Sequence, residues 1–330
     1  MLESVPGLAL LTTPAVLFFL LGAGAAFARS DLAVPEPVAK SVALYLMLCI
    51  GFKGGAEART AGLDGDFLMA AGLGVALSAL MPLVAYVFLK RISRLDHSTI
   101  CAHAATYGSV SVVTFAAGEA YLAAQGLAPG RYMAAVLALM EAPAILTALL
   151  LLNNSAAGPA ARTGGALAQV GVMREVVFGA ASVMLLGSFM VGLVSGPPGL
   201  AKLDIFVGPL FQGALCFFLL DTGLVAARSF VAGGRKLTPP LLGFAIGFPM
   251  LSAVLCLFIA RWAGLDVGDG ALLAILAGSA SYIAVPAAMR IAAPQADAGV
   301  YVTSSLAVTF PFNLTLGIAI YAAAATWIWR

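Results

Sequence analysis

Ten apolar runs, most of them near 20 residues long, decide what this chain can fold into. They are Leu8 to Phe27, Ser41 to Arg59, Phe67 to Leu89, Ile100 to Ala124 and Tyr132 to Leu152, then Val176 to Ser195, Val207 to Ala227, Leu241 to Trp262, Ala271 to Ile291 and Val300 to Trp329. Each is close to the ~20 apolar residues that a helix needs to cross a bilayer. Backbone inside hydrocarbon must satisfy its own hydrogen bonds, so only helices and closed barrels can span. A barrel would read as alternating strands of about 10 residues, and these runs are continuous blocks of Ala, Leu and Gly. Of the 330 residues, 62% are hydrophobic and 10% charged, against about 25% charged in a soluble domain. The fold class expected is an all-α membrane protein with ten transmembrane helices, its surface covered by membrane lipid.

A formal charge of +2 without a basic patch excludes a nucleic-acid partner. Cys49, Cys101, Cys216 and Cys256 lie in or beside apolar runs with no CxxC pair and no histidine at ligand spacing, and read as buried free thiols. No transition-metal site and no organic cofactor are expected. No basic n-region precedes the first run, which reads as a retained helix and not a cleaved leader.

The chain resembles itself at a shift of about 170 residues. Asp96 falls on Asp266, Gly108-Ser109-Val110-Ser111 on Gly278-Ser279-Ala280-Ser281, and Gln125 on Gln295. With slightly different offsets, the stretch from Leu77 resembles that from Leu251, and Pro143 falls near Pro311. Residues 1–152 form a first five-helix repeat, 153–173 a small, polar, Pro- and Gly-containing linker, and 174–330 a second repeat. An odd number of spans forces the second repeat to enter from the opposite side. The repeats are therefore expected to be inverted, the usual construction of secondary transporters around a midplane site. With the amino terminus outside, eleven of the 17 Lys and Arg fall in inner loops, among them Lys90, Arg91, Arg94, Arg235 and Lys236. Excess positive charge marks the cytoplasmic side. Both termini are expected outside and the linker in the cytoplasm.

Runs four and nine each carry Gly-Ser-X-Ser near their centres, where a continuous helix favours Leu, Ala or Val. A break there exposes N–H groups at the start of the second half-helix, a ready anion receptor. Inversion brings two such ends together. The expected substrate site is Gly108, Ser109, Ser111, Gly278, Ser279 and Ser281: the serines supply hydroxyl donors and the glycines let an anion approach the backbone. No Lys or Arg lies in either motif, and Arg290 stands about 13 Å along a helix from Ser281. Such a site favours a small, singly charged oxyanion. The bland alternative is that the small residues only permit close helix packing.

Ionisable groups inside spans are costly and mark function. Glu141 precedes Pro143 in run five, and Thr309 and Asn313 flank Pro311 in run ten. Each proline frees a backbone carbonyl, and oxygens of this kind suit a hard cation such as Na⁺. Glu141, Thr309 and Asn313 are the expected sodium-binding residues, with Na⁺ the coupling ion. Lys53, Asp221, His97, His103 and Glu119 are assigned no site role; the two histidines, six apart, share no metal-binding face. The chain lacks HExxH, GxSxG and paired intramembrane aspartates, so it is not expected to be an enzyme.

LYLMLCIGFKGG in run two, TYGSVSVVTF in run four, LLDTGLVAAR in run seven, GSASYIAVPAAMR in run nine and TFPFNLTLGIAIY in run ten resemble the sodium-dependent bicarbonate transporter family (SbtA type) over nearly the whole chain. The resemblance implies a Na⁺/HCO₃⁻ symporter of a bacterial cytoplasmic (inner) membrane, built as a homotrimer. It implies ten helices in two inverted repeats with crossed, broken helices four and nine, and an elevator-type moving core of spans three to five and eight to ten. Spans one, two, six and seven would form the static scaffold. Bicarbonate would lie between the two GSxS segments. Cyanobacterial members are inhibited by a PII-like cytoplasmic protein, and the linker here matches the family poorly. Neutral donors alone leave open another small carboxylate or inorganic anion.

Overall fold

A computed structural model describes residues 12–61, 65–153 and 178–330. The leading part of the first expected run, the start of the sixth, and the linker beyond Asn153 lie outside the described residues. Every regular element described is helical: α1 Pro14–Phe27, α2 Glu36–Ala61, α3 Gly65–Ile92, α4 His97–Thr106, α5 Val112–Ala124, α6 Met133–Asn153 and α7 Ala180–Lys202 in the first part. Then come α8 Asp204–Val207, α9 Pro209–Gly233, α10 Pro239–Trp262, α11 Val267–Ala277, α12 Ala284–Ala292 and α13 Ala298–Ile328.

Among the described residues, seven stretches are long and apolar enough to cross a membrane: α2, α3, α6, most of α7, α8 with α9, α10 and α13. Among the shorter helices, α1, α5 and α11 are also apolar. The chain is a multi-pass helical membrane protein. Several spans run a turn beyond the apolar run that announces them. Glu36, Lys90 and Arg91 lie inside helices, because a charged side chain at a helix end can reach the interface while its backbone stays helical.

Runs four and nine are each two helices. α4 and α5 are separated by residues 107–111, and α11 and α12 by residues 278–283. Thr99 to Thr106 and Gly268 to Ala277 are buried throughout, so both leading half-helices lie inside protein. Non-helical backbone at membrane depth is tolerated only in such surroundings.

Close approach of backbones builds two helix pairs around this centre. Gly22 of α1 sits on the Leu220 carbonyl of α9, and Gly223 of α9 on the Phe19 carbonyl of α1. The α2–α7 pair repeats the device, Gly55 on the Phe189 carbonyl and Gly192 on the Phe52 carbonyl. A Cβ at any of these four positions would collide with the partner backbone, which is how small residues hold membrane helices together. α7 bends where Gly196 takes φ 61° ahead of Pro197 and Pro198.

The other long helices of the core each carry an internal proline: Pro82 in α3, Pro143 in α6, Pro249 in α10 and Pro311 in α13. A proline frees the carbonyl four residues earlier. For Pro249 that is Ala245, and its oxygen accepts the Thr309 hydroxyl at 2.6 Å. α13 widens into π-turns at Thr303–Thr309 and Asn313–Gly317, on both sides of Pro311. Such turns recur at functional positions in helices.

Candidate functional site

The two breaks meet and bond to one another. The Ser281 N–H donates to the Thr106 carbonyl at 2.8 Å, closing the carboxyl end of α4 with a group from the other half. The Ser111 N–H donates to Ser279 Oγ at 3.0 Å. Ser279 in turn donates its hydroxyl to the Leu276 carbonyl at 2.7 Å. A terminal carbonyl of a half-helix would otherwise face a dry interior, so these bonds replace the partners lost at the break.

The four serines divide by what their single hydroxyl proton does. Ser109 donates to the Glu141 carbonyl at 3.3 Å and Ser279 to Leu276, so both protons are engaged within the protein. Ser111 and Ser281 instead accept, Ser111 from the Thr114 N–H at 3.2 Å and Ser281 from the Val285 N–H at 3.4 Å. Ser111 is the N-cap of α5, whereas α12 follows Ile283 without a side-chain cap and Ser281 only touches its second residue; accepting leaves either hydroxyl a proton to donate. Both line a narrow cavity of about 20 Å³ between the two breaks and helices α2 and α9. Val110 to Val113, Tyr282 to Ala284, Leu46, Met47 and Glu141 complete much of its wall. The first residues of α5 and α12 therefore border one space, at the positive ends of the two helices.

Gly108 and Gly278 stand on the other side of the breaks. A Cβ on Gly108 would meet the ring of Pro82 and, at 3.0 Å, the Ala144 methyl; one on Gly278 would meet the Pro249 carbonyl and Tyr321 at 3.0 Å. In this structure each glycine admits a proline-bearing helix against the break.

Glu141, Thr309 and Asn313 are all buried, and side-chain hydrogen bonds tie Asn313 to the second break and Thr309 to Tyr107 of the first. Asn313 donates its amide to the Gly278 carbonyl at 2.8 Å and accepts from the Tyr321 hydroxyl at 3.0 Å. Thr309 shares the Tyr107 hydroxyl at 2.7 Å with Ser304 at 2.9 Å, and its own proton goes to Ala245. Glu141 comes from α6 to the cavity wall, 9% exposed, and among the described residues no hydrogen bond or ion pair reaches its carboxylate. Among the described residues no three His, Cys, Asp or Glu side chains gather as metal ligands.

Two features are not foreshadowed by sequence pattern. Tyr282, directly after the second motif, lines the same cavity with a buried hydroxyl that lies beside Ser111. A wider vestibule of about 310 Å³ lies along α2 and α5, lined by Lys53, Glu57, Phe115, Glu119, Arg131 and Gln212 among others. It opens on the face that holds the α5–α6 loop, opposite the end of α6 that leads to the linker. Position in the apolar runs puts Lys53 and Glu119 near a membrane surface; the space they share is lined from five helices, α2, α5, α6, α8 and α9, distant in sequence. The histidines are packing residues. His97 bonds Tyr86 and the Leu151 carbonyl, and His103 is fully buried against Tyr107 and Phe244.

Outside the cavity, equivalent positions tie the broken helices to loops at both faces. Thr99 of α4 accepts the Asp297 N–H at 2.8 Å. Asp269 of α11, 170 residues later, accepts the Gly130 N–H and, at 2.6 Å, the Tyr132 hydroxyl. Asp96 caps α4, accepting from the Thr99 N–H at 3.0 Å and its hydroxyl at 2.6 Å. Burial pushes the Asp96 carboxyl up, but these bonds outweigh it and hold it below the ordinary carboxylate value.

In comparison with known proteins, residues 14–326 match the model of one family, described as the Na⁺-dependent bicarbonate transporter superfamily. No curated protein matches the chain.

Proposed function

The chain belongs to the Na⁺-dependent bicarbonate transporter superfamily, and from that premise we propose that it is a Na⁺/HCO₃⁻ symporter that binds bicarbonate where the two broken helices cross. One observation carries this reading: the first residues of α5 and α12, with the hydroxyls of Ser111 and Ser281, border a single cavity. Partial positive charge from two helix ends and neutral hydroxyls suits a small monovalent anion, held without a cation that would retain it too tightly. Ser109, Ser279, Gly108 and Gly278 belong to the substrate site as the groups that shape the crossing. Na⁺ is taken by the oxygens of Glu141, Thr309 and Asn313, near the negative carboxyl ends of α4 and α11.

Transport proceeds by alternating access. The two halves are inverted repeats of five spans, with α3 to α6 and α10 to α13 as the moving core. The glycine-locked pairs α1–α9 and α2–α7 are the scaffold, through which the chain assembles as a trimer. The vestibule is the outer approach, both termini face outward, and the linker faces the cytoplasm of a bacterial inner membrane, where a PII-like regulator would bind. Labelled-bicarbonate uptake into proteoliposomes tests the core of this reading. Uptake should rise severalfold with an inward Na⁺ gradient and fall to the leak level without Na⁺; uptake indifferent to Na⁺ would refute symport.

A further inference from the structure

The cavity between the breaks holds one group that an anion receptor should lack. Ser111, Ser281 and Tyr282 all line this space, and each carries a hydroxyl that can donate. Glu141 faces them from α6 with a carboxylate that no described residue engages. An ionised carboxylate only accepts. Beside a bare oxyanion it would be a like charge against a like charge in a poorly hydrated space, and strongly unfavourable.

We infer that the site selects a hydrogen-bearing oxyanion: the carboxylate of Glu141 accepts the substrate's own O–H while Tyr282 and the two serines donate to its charged oxygens. Bicarbonate carries one O–H and two oxygens that share a negative charge, so it matches one acceptor opposed by several donors. Nitrate has the same planar shape and charge but no proton, and must leave Glu141 facing an anion with no bond between them. A bound Na⁺ next to Glu141 offsets the negative charge of the pair without supplying the missing hydrogen bond. This inference rests on the bicarbonate reading above and adds a specificity role for Glu141 and a binding role for Tyr282. A site built around a substrate hydroxyl rejects the analogue lacking it far more strongly than shape alone can.

The test is competition by nitrate against Na⁺-driven uptake of labelled bicarbonate in proteoliposomes, run on the native chain, Glu141→Gln and Tyr282→Phe. The native chain should prefer bicarbonate by about 100-fold or more. In Glu141→Gln that ratio should collapse to below about 10-fold, because an amide can turn a donor toward nitrate. In Tyr282→Phe the affinity for bicarbonate should fall by about 10-fold with the ratio kept, since the lost donor would serve either anion. A native chain that nitrate inhibits as well as bicarbonate does overturns the inference whatever the variants do. So does a Glu141→Gln protein that keeps native discrimination and only needs more Na⁺, because that is the behaviour of a cation ligand alone. A chain that takes up no bicarbonate removes this inference together with the transport reading, whereas equal affinity for the two anions removes this inference only.

Discussion

Beside the first broken helix, Glu141 of α6 turns its carboxylate to a cavity and bonds to no described residue; beside the second, Asn313 of α13 uses both ends of its amide, on the Gly278 carbonyl and the Tyr321 hydroxyl. The skeletons around them correspond. Each break lies against a proline-bearing helix, each contains a serine whose hydroxyl accepts an N–H of the trailing half-helix, and each leading half-helix is tied at its outer end to a loop of the other half. The polar groups differ because such a junction has two tasks. It must hold the open ends of four half-helices in a dry interior, which takes closed hydrogen bonds, and it must leave some groups free for a ligand. At these two positions the second half closes its bonds and the first leaves a carboxylate open.

The sharpest way to break this comparison is to remove each residue in turn. Asn313→Leu strands a buried carbonyl and takes away a partner of Tyr321, and should cost about 2–5 kcal/mol at about 1–3 kcal/mol per buried group. It should also raise the Na⁺ concentration needed for transport. Glu141→Gln breaks no bond and removes a buried charge, so thermal unfolding in detergent should be unchanged or slightly later while transport changes. Equal losses of stability in the two variants would erase the contrast.

A smaller effect separates the two outer ties. Asp269→Ala removes two bonds to a charged acceptor and should cost about 3–6 kcal/mol, against about 2–4.5 kcal/mol for Thr99→Val, which loses one bond to the Asp297 N–H and one to the Asp96 carboxylate. Thermal scans of the pair rank them; the reverse order would mean that the corresponding positions do not do corresponding work. Smallest are the helix caps. Asp96 bonds Thr99, whereas Asp266, its counterpart, makes no side-chain cap bond. Asp96→Ala should cost about 1 kcal/mol and Asp266→Ala close to nothing. Because the folded Asp96 carboxyl lies below its ordinary value, its contribution is present above that value and fades as pH falls through the folded one. Acid unfolding of Asp96→Asn should lack that component.

Much of this architecture is legible in the amino-acid sequence. Apolar length announces the spans, and the paired Gly-Ser-X-Ser segments mark where two helices break, because those residues suit neither a lipid-facing helix nor a continuous one. The family resemblance is borne out by the match over residues 14–326. What the pattern does not resolve is direction. Ser109 and Ser111 lie two apart, yet one gives its proton to Glu141's backbone and the other faces the cavity; the choice depends on the path of a five-residue break. Gly108 and Gly278 stand out as glycines, but only the approach of Pro82 and Pro249 reveals what their missing side chains admit here. Tyr282 is hidden because a tyrosine after a helix break reads equally as an interface residue, and nothing local says that its hydroxyl is buried. The vestibule residues come from segments far apart in the chain and carry no common spacing.

If hydroxyls from the two halves touch one anion, the most direct test is the bicarbonate affinity of Ser111→Ala and Ser281→Ala measured under saturating Na⁺. Each serine lines the cavity with a proton to donate, and a hydrogen bond to a charged ligand contributes about 1.5–3 kcal/mol. Each variant should therefore bind bicarbonate about ten-fold or more weakly. Loss of the bond each accepts should lower thermal stability by only about 1 kcal/mol, so both proteins should remain folded for the measurement. Native affinity in both would contradict a shared site where the breaks meet, and weakened affinity in only one would confine the anion to a single half.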